Sequence, residues 1–193
     1  MGEEVLEKEC RQTKDWQGRL AIDSPLAVYV NISARQFREP DLAETVSRLL
    51  RETGLDPTCL HLKITETAAM SDAPATVFEL EELKALGVQM VVDDFGTGYS
   101  SLSYLQRFPV DYVKTDRSFV ADLEGDTEAM ALVSGMIDLA HALGIGVIAE
   151  GVERASQLER LETMGCDLAQ GYYFSSPLPS EAMDAFLEDS ATG

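Results

Sequence analysis

The sequence has few cysteines and few histidines. Its three cysteines, Cys10, Cys59 and Cys166, lie far apart and none has C-x-x-C spacing. A disulfide framework and a zinc site are therefore not predicted, and a reducing compartment is favoured. The two histidines, His61 and His141, also lack metal-ligand spacing. We expect the cysteines to be small buried residues and the histidines to be surface or capping residues.

Positive charge and long apolar runs are also scarce. The chain has 15 Lys and Arg against 34 Asp and Glu, for a net charge of −19. This balance argues against contact with a nucleic-acid polymer or an anionic membrane. No apolar run reaches the roughly 18 residues of a membrane span, and no signal-peptide core begins the chain. We expect a cytoplasmic protein, alone or as the cytoplasmic domain of a larger one.

What is present is the composition of one globular α/β domain over residues 1–193, with 45% hydrophobic and 25% charged residues. Apolar strand patterns alternate with helix patterns six times, which predicts a parallel sheet with right-handed crossovers. The predicted strands are 26–32, 60–65, 88–93, 110–115, 145–149 and 168–174. The predicted helices are 3–16, 41–53, 74–86, a short one from 100 or 101 to 107, 127–143, 154–164 and 180–188.

Polar side chains lie at, near or just past the carboxyl end of every predicted strand. They are Asn31, Lys63 with Glu66, Asp93 with Asp94, Lys114 with Asp116, Glu150 with Glu153, and Gln170. In a β/α barrel these ends converge on one face, where active sites are built. The adjacent carboxylates Asp93 and Asp94 taken alone fit either a solvated turn or a divalent-cation site. Acidic or amide groups at all six ends favour a site over a random surface.

Carboxylates with one Asn and one Lys suit metal-assisted hydrolysis of a phosphoester. The carboxylates would hold Mg²⁺ or Mn²⁺, and Lys114 could orient water or stabilise charge on phosphate. The sequence has no P-loop, no nucleophile elbow and no zinc spacing.

These residues resemble the EAL family, the cyclic di-GMP phosphodiesterases of bacterial signalling. The matching stretches are Asn31-Ile32-Ser33 with Gln36, Ile64-Thr65-Glu66, the run from Asp93 to Leu102, Lys114 to Phe119, Ala149 to Glu153, and Gln170-Gly171-Tyr172. They cover almost the whole chain. The resemblance implies a modified TIM-like β/α barrel that cleaves cyclic di-GMP to linear pGpG with Mg²⁺ or Mn²⁺.

The resemblance also implies a role for each matched residue. Asn31 and Asp93 would be metal ligands, and Asp94 would help hold a second metal or its water. Lys114 and Asp116 would position water, and Glu150 would be a metal ligand or general base. Glu66 and Glu153 would brace the loop that begins Phe95, Gly96, Thr97, Gly98, Tyr99 and Ser100, and Gln170 would line the site.

The chain departs from the family pattern at two important points. The Glu-Ala-Leu motif and the substrate-binding Arg after it have no counterpart, and Lys63 stands where the family has a metal-ligand Glu. A protonated Lys cannot be a cation ligand. Smaller departures are Thr115 for an aliphatic residue and Ser176 where the family often has Arg. Three alternatives follow: an EAL phosphodiesterase with weak or no activity in this chain, a degenerate domain that binds cyclic di-GMP or a protein without cleavage, or a truncated dimerisation module.

The strand count leads to an expectation about assembly. A barrel of this class has about eight strands, so six strands leave a gap with two exposed edges. We expect a homodimer, or additional domains that supply the missing N-terminal strands. The resemblance adds that the family tends to dimerise near the 93–102 loop and the Lys114 strand.

Overall fold

A computed structural model describes residues 2–19, 26–96, 105–123, 125 and 127–191. The helices are α1 (Gly2–Arg19), α2 (Ala34–Phe37), α3 (Leu42–Thr53), α4 (Glu66–Met70), α5 (Ala73–Ala85), α6 (Arg117–Ala121), α7 (Thr127–Ala142), α8 (Ala155–Thr163) and α9 (Ser180–Ala191), with a 3₁₀ turn at Pro57–Cys59. The strands are β1 (Val28–Asn31), β2 (Leu60–Thr65), β3 (Gln89–Phe95), β4 (Tyr112–Thr115), β5 (Gly146–Glu150) and β6 (Leu168–Gln170).

The six strands form one sheet in the order β1-β2-β3-β4-β5-β6. The pairs β1–β2, β3–β4, β4–β5 and β5–β6 are parallel. Helices connect the strands in the described crossovers β1–β2, β2–β3, β4–β5 and β5–β6. Strands of a parallel sheet that is covered by such helices are typically strongly apolar. The predicted α/β class and the six parallel strands are confirmed.

Two compact units make up the structure. The first comprises the described parts of Met1–Ile64, Phe78–Met90 and Pro177–Gly193. In its core Leu6 and Cys10 of α1 are buried together with Val46 and Leu49 of α3. Gly54 ends α3 at φ 67°, a left-handed conformation that favours glycine.

The second unit comprises Thr65–Val77 and the described parts of Val91–Ser176. Val113 of β4, Val147 of β5, Ile137 of α7 and Leu161 of α8 are almost fully buried in it. Strands β4, β5 and β6 run in register through this unit, with Lys114 opposite Ile148 and Glu150 opposite Gln170. The polar carboxyl ends of β3, β4, β5 and β6 therefore belong to one compact unit.

The element ends differ from the sequence prediction in an informative way. Strand β3 runs two residues past the predicted end at Asp93, whereas β6 ends at Gln170, four residues before the predicted Phe174. The short helices α2, α4 and α6 were not predicted, and each begins directly after a strand-end polar residue that caps it, namely Ser33, Thr65 and Asp116. The predicted helix from 100 or 101 to 107 lies mostly outside the described residues.

Among the described residues, no helix has the length and apolar character needed to cross a membrane.

Candidate functional site

A buried lysine lies at the centre of the polar strand ends in the second unit. The Lys114 side chain on β4 is only 5% exposed. Its Nζ lies 2.9 Å from Oε2 of Glu150 on β5 and 3.8 Å from Oδ1 of Asp93 on β3. Two carboxylates from the strands on either side thus approach one ammonium group, which is the arrangement that a buried charge requires.

Asp93 and Asp94 lie where the β3–β4 register is interrupted. Val92 pairs with Val113 and Phe95 pairs with Thr115, so the two aspartates fall in an irregularity between these pairs. Asp94 has φ 57°, a left-handed conformation that Asp tolerates better than most residues. Its N–H donates to Oδ1 of Asp93 at 3.2 Å. At such a bulge the side chains of Asp93 and Asp94 no longer follow the regular alternation between the two faces of the sheet.

The pKa of Asp94 is raised by burial and by the carboxylates around it. Partial burial raises the pKa of Asp94, the negative charges of Asp93, Asp116 and Glu150 raise it further, and Lys114 opposes the shift. Carboxylates that repel one another in this way attract a cation.

Glu66 connects to the start of the loop after β3. It is 2% exposed, and its Oε2 accepts a hydrogen bond from the Gly96 N–H at 3.0 Å. Gly96 has φ 93°, and a Cβ there would lie 2.8 Å from Met136 Cε. Phe95 is buried and the exposed Gly96 follows it. The predicted loop residues Thr97, Gly98, Tyr99 and Ser100 lie outside the described residues.

Asp116 has a structural partner that the sequence pattern does not indicate. Its Oδ1 accepts from the Ser118 N–H at 2.9 Å and from the Ser118 hydroxyl at 2.5 Å. These two hydrogen bonds lower the pKa of Asp116. The carboxylate therefore caps α6 while it faces the site.

The residues after β5 and β6 pack closely together. The N–H groups of Gly151 and Val152 both donate to the Gln170 carbonyl, at 2.8 and 3.1 Å. Gly151 has φ 84°, and a Cβ there would lie 2.6 Å from Arg117 Cβ. Glu153 and the Gln170 side chain are exposed.

Asn31 and Lys63 belong to the first unit and are partners in the β1–β2 register. Asn31 is exposed and Lys63 is partly buried. The Lys63 carbonyl accepts from the Ile32 N–H at 2.8 Å. Asn31 is therefore the last residue of β1, and Lys63 lies two residues before the end of the adjacent parallel strand β2.

The fit to Mg²⁺ or Mn²⁺ is partial. Carboxylate oxygens are the donors that these hard cations prefer. Within the described residues, however, no group of three or more His, Cys, Asp or Glu side chains is arranged to hold a metal ion. Asp93 and Glu150 instead approach the Lys114 ammonium. The donor type fits the metal, but the described donors do not make a complete centre.

Comparison with known proteins identifies the family. The family model of the EAL domain matches residues 1–177. The bifunctional diguanylate cyclase/cyclic di-GMP phosphodiesterase MucR of Pseudomonas aeruginosa is 42% identical over 183 residues, which cover 95% of this chain and 26% of that protein. Cyclic di-GMP phosphodiesterase NbdA of the same organism is also 42% identical, over 95% of this chain and 23% of its own length.

Comparison with solved structures identifies the same family. The MucR phosphodiesterase in complex with c-di-GMP matches with a TM-score of 0.87 and 42% identity, over 94% of this chain and 73% of that one. The EAL domain of Mycobacterium smegmatis DcpA matches with a TM-score of 0.91 and 35% identity, over 99% and 85%. The chain spans about a quarter of the length of MucR and of NbdA. It belongs to the EAL domain family, and its fold is that of the solved EAL domains.

Proposed function

We propose that this chain is an EAL domain that binds cyclic di-GMP and, by itself, hydrolyses it weakly or not at all. Ligand binding is supported by relatives whose names include cyclic di-GMP phosphodiesterase activity and by the MucR complex with c-di-GMP. Weak hydrolysis is supported by this chain's own residues at the metal centre.

The observation that carries the proposal is Lys63, which stands at the position where the family has a metal-ligand Glu. Lys63 is partly buried on β2 and is the register partner of Asn31 on β1. Its ammonium has no acceptor to offer a cation. Metal affinity depends on ligand charge and number. We therefore expect a poorly occupied centre at ordinary Mg²⁺ concentrations.

The remaining residues have assigned roles in this proposal. Asn31, Asp93, Asp94 and Glu150 are the metal-ligating groups that the chain retains, and a bound metal would supply positive charge next to the scissile phosphate. Lys114 and Asp116 hold water near the phosphate, and Glu150 is also a candidate base. Glu66 and Glu153 brace the loop, and Gln170 lines the site.

The test combines binding with product formation. With Mn²⁺ and cyclic di-GMP, the purified protein should bind the dinucleotide in calorimetry and form no pGpG above background in chromatography. Lys63→Glu should raise Mn²⁺ affinity because it restores an anionic ligand. Lys8→Glu in α1, at an exposed position, makes the same charge change elsewhere and should not. Turnover at the rate of the MucR phosphodiesterase would refute the proposal of weak hydrolysis.

A second candidate role, assembly, is favoured by the exposed end of the sheet. Strand β6 is last in the strand order, and Leu168 at its start is 41% exposed. Beyond the end of β6, Tyr172 and Phe174 are 67% and 48% exposed. A sheet edge flanked by exposed apolar residues is a template for pairing. We propose that a second copy, or strands from additional domains, covers it.

Light scattering at micromolar concentration tests the homodimer. The wild type and Val5→Lys, a control at an exposed position in α1, should be dimers, and Leu168→Lys should be a monomer. A monomeric wild type would contradict homodimerisation.

We also propose a cytoplasmic location. The three cysteines are free, and burial, with a smaller contribution from Glu9, raises the pKa of the Cys10 thiol to about 11. Such a thiol is unreactive and suits a reducing compartment.

A further inference from the structure

The first turn of α8 contains a buried glutamine whose side chain has a hydrogen bond at each end. Gln157 is 1% exposed. Its Oε1 accepts from the Glu153 N–H at 2.8 Å and from the Arg154 N–H at 3.0 Å. Its Nε2 donates to the Val120 carbonyl at 3.2 Å. One carboxamide therefore joins the start of α8 to the last turn of α6.

The residues that Gln157 holds belong to a short segment, Glu150–Arg154, which we call the strand-end segment. At its beginning Glu150 contacts Lys114, and Gly151 lies so close to Arg117 that a Cβ would be 3.2 Å from the Arg117 Cα. At its end the N–H groups of Glu153 and Arg154 are held by Gln157. The segment thus follows α6 closely, from the first residue of that helix to its last turn.

Helix α6 begins directly after β4, the strand that carries Lys114. Asp116 caps it, and Lys114 lies two residues earlier on β4. Any movement of the strand-end segment away from α6 would change the Glu150–Lys114 distance. The Val120 carbonyl also accepts from the Leu123 N–H at 3.3 Å, so the Gln157 amide adds a further hydrogen bond to a carbonyl in the last turn of α6.

We propose that Gln157 is a positioning residue of the site, which holds the strand-end segment against α6 and so keeps Glu150 on Lys114. The expected effect of Gln157 on cyclic di-GMP binding rests on the proposed function. The placement of Glu150 by Gln157 does not depend on it. The amide side chain meets both requirements, because the position needs an acceptor at one end and a donor at the other. A carboxylate there would keep the accepted bonds and place oxygen against the Val120 carbonyl.

Three variants of the full chain test the proposal. Gln157→Leu removes all three hydrogen bonds, and Gln157→Glu removes only the donation to Val120. Arg160→Met is the matched control. Arg160 also ties α8 to the region after α6, through its Nη1 and the Leu123 carbonyl at 2.5 Å. This tie does not involve the strand-end segment.

Two readouts by NMR require neither metal nor cyclic di-GMP. The first is the ammonium signal of Lys114, which is observable because the group is buried and ion-paired. The second is hydrogen exchange at the Glu153 and Arg154 amides. In Gln157→Leu the ammonium signal should be lost and both amides should exchange at least about tenfold faster. In Gln157→Glu the amides should stay protected and the signal should weaken. Arg160→Met should change neither.

Each outcome bears on the proposal. A Lys114 signal that is unchanged in both Gln157 variants overturns it, as does an equal loss in Arg160→Met, which would indicate a general loss of stability. If Gln157→Leu does not fold, an unchanged Lys114 ammonium signal in Gln157→Glu is by itself sufficient to overturn the proposal. Cyclic di-GMP affinity should fall about tenfold in Gln157→Leu, as for other supporting residues of a site. If the wild type does not bind cyclic di-GMP, the proposed function is refuted. The positioning role of Gln157 is then decided by the two NMR readouts.

Discussion

Replacement of Lys114 by methionine is expected to lower the free energy of unfolding by about 3 kcal/mol, the lower end of the range for removal of one partner of a buried ion pair. The lower end applies because the Glu150 side chain is 34% exposed and water can solvate it. Without the ammonium, Asp93 and Glu150 lose their nearest positive charge, and the pKa of Asp94 should rise further because Lys114 now opposes that rise.

Urea unfolding with and without divalent cation measures this effect. Millimolar Mn²⁺ should restore part of the stability of Lys114→Met, because a ligand that binds only the folded state stabilises it. Lys8→Met, which removes a charge from an exposed position in α1, should stay within about 0.5 kcal/mol of the wild type. Equal stability of the two variants would mean that the carboxylates do not depend on Lys114.

The large elements could be predicted because their signals are local. Strand β2 has its predicted bounds, since the alternating apolar residues Leu60, Leu62 and Ile64 lie between a 3₁₀ turn at Pro57–Cys59 and Thr65, which caps α4. Helix α3 ends at Gly54 in the left-handed conformation that its glycine predicts. The polar residues at the strand ends were found for the same reason, because a parallel sheet brings them to one edge.

The remaining features depend on contacts between distant parts of the chain. Asp116 is recognisable as a site residue, but its role as the cap of α6 depends on the conformation of the next two residues. Gln157 stands in an ordinary helical sequence, and its importance comes from Val120, 37 residues earlier. Thr115 is a similar case, since its hydroxyl is buried and has no hydrogen-bond partner among the described residues. The resemblance marks this position, since Thr115 stands where the family has an aliphatic residue, but the missing partner of its buried hydroxyl is visible only in the structure.

Gly171 is packed so closely against Val152 that a single added methyl group should strongly destabilise the protein. A Cβ at this position would overlap the backbone nitrogen and oxygen of Val152 and lie 2.7 Å from its carbonyl carbon. Val152 cannot easily yield, because it is fully buried, donates to the Gln170 carbonyl and accepts from the Tyr173 N–H at 2.9 Å. We expect Gly171→Ala to cost roughly 3 kcal/mol or more, the upper range for overpacking.

Gly135 provides the control that separates crowding from the general effect of adding a methyl group. It lies inside α7, and a Cβ there would have no described atom within 4 Å outside its own helix backbone and chain neighbours. Because alanine favours a helix by about 0.8–1 kcal/mol over glycine, Gly135→Ala should stabilise the protein while Gly171→Ala destabilises it. Thermal and urea unfolding of both variants measure the two signs. A Gly171→Ala protein within about 1 kcal/mol of the wild type would show that the strand-end segment can move away from β6 to accommodate the methyl group.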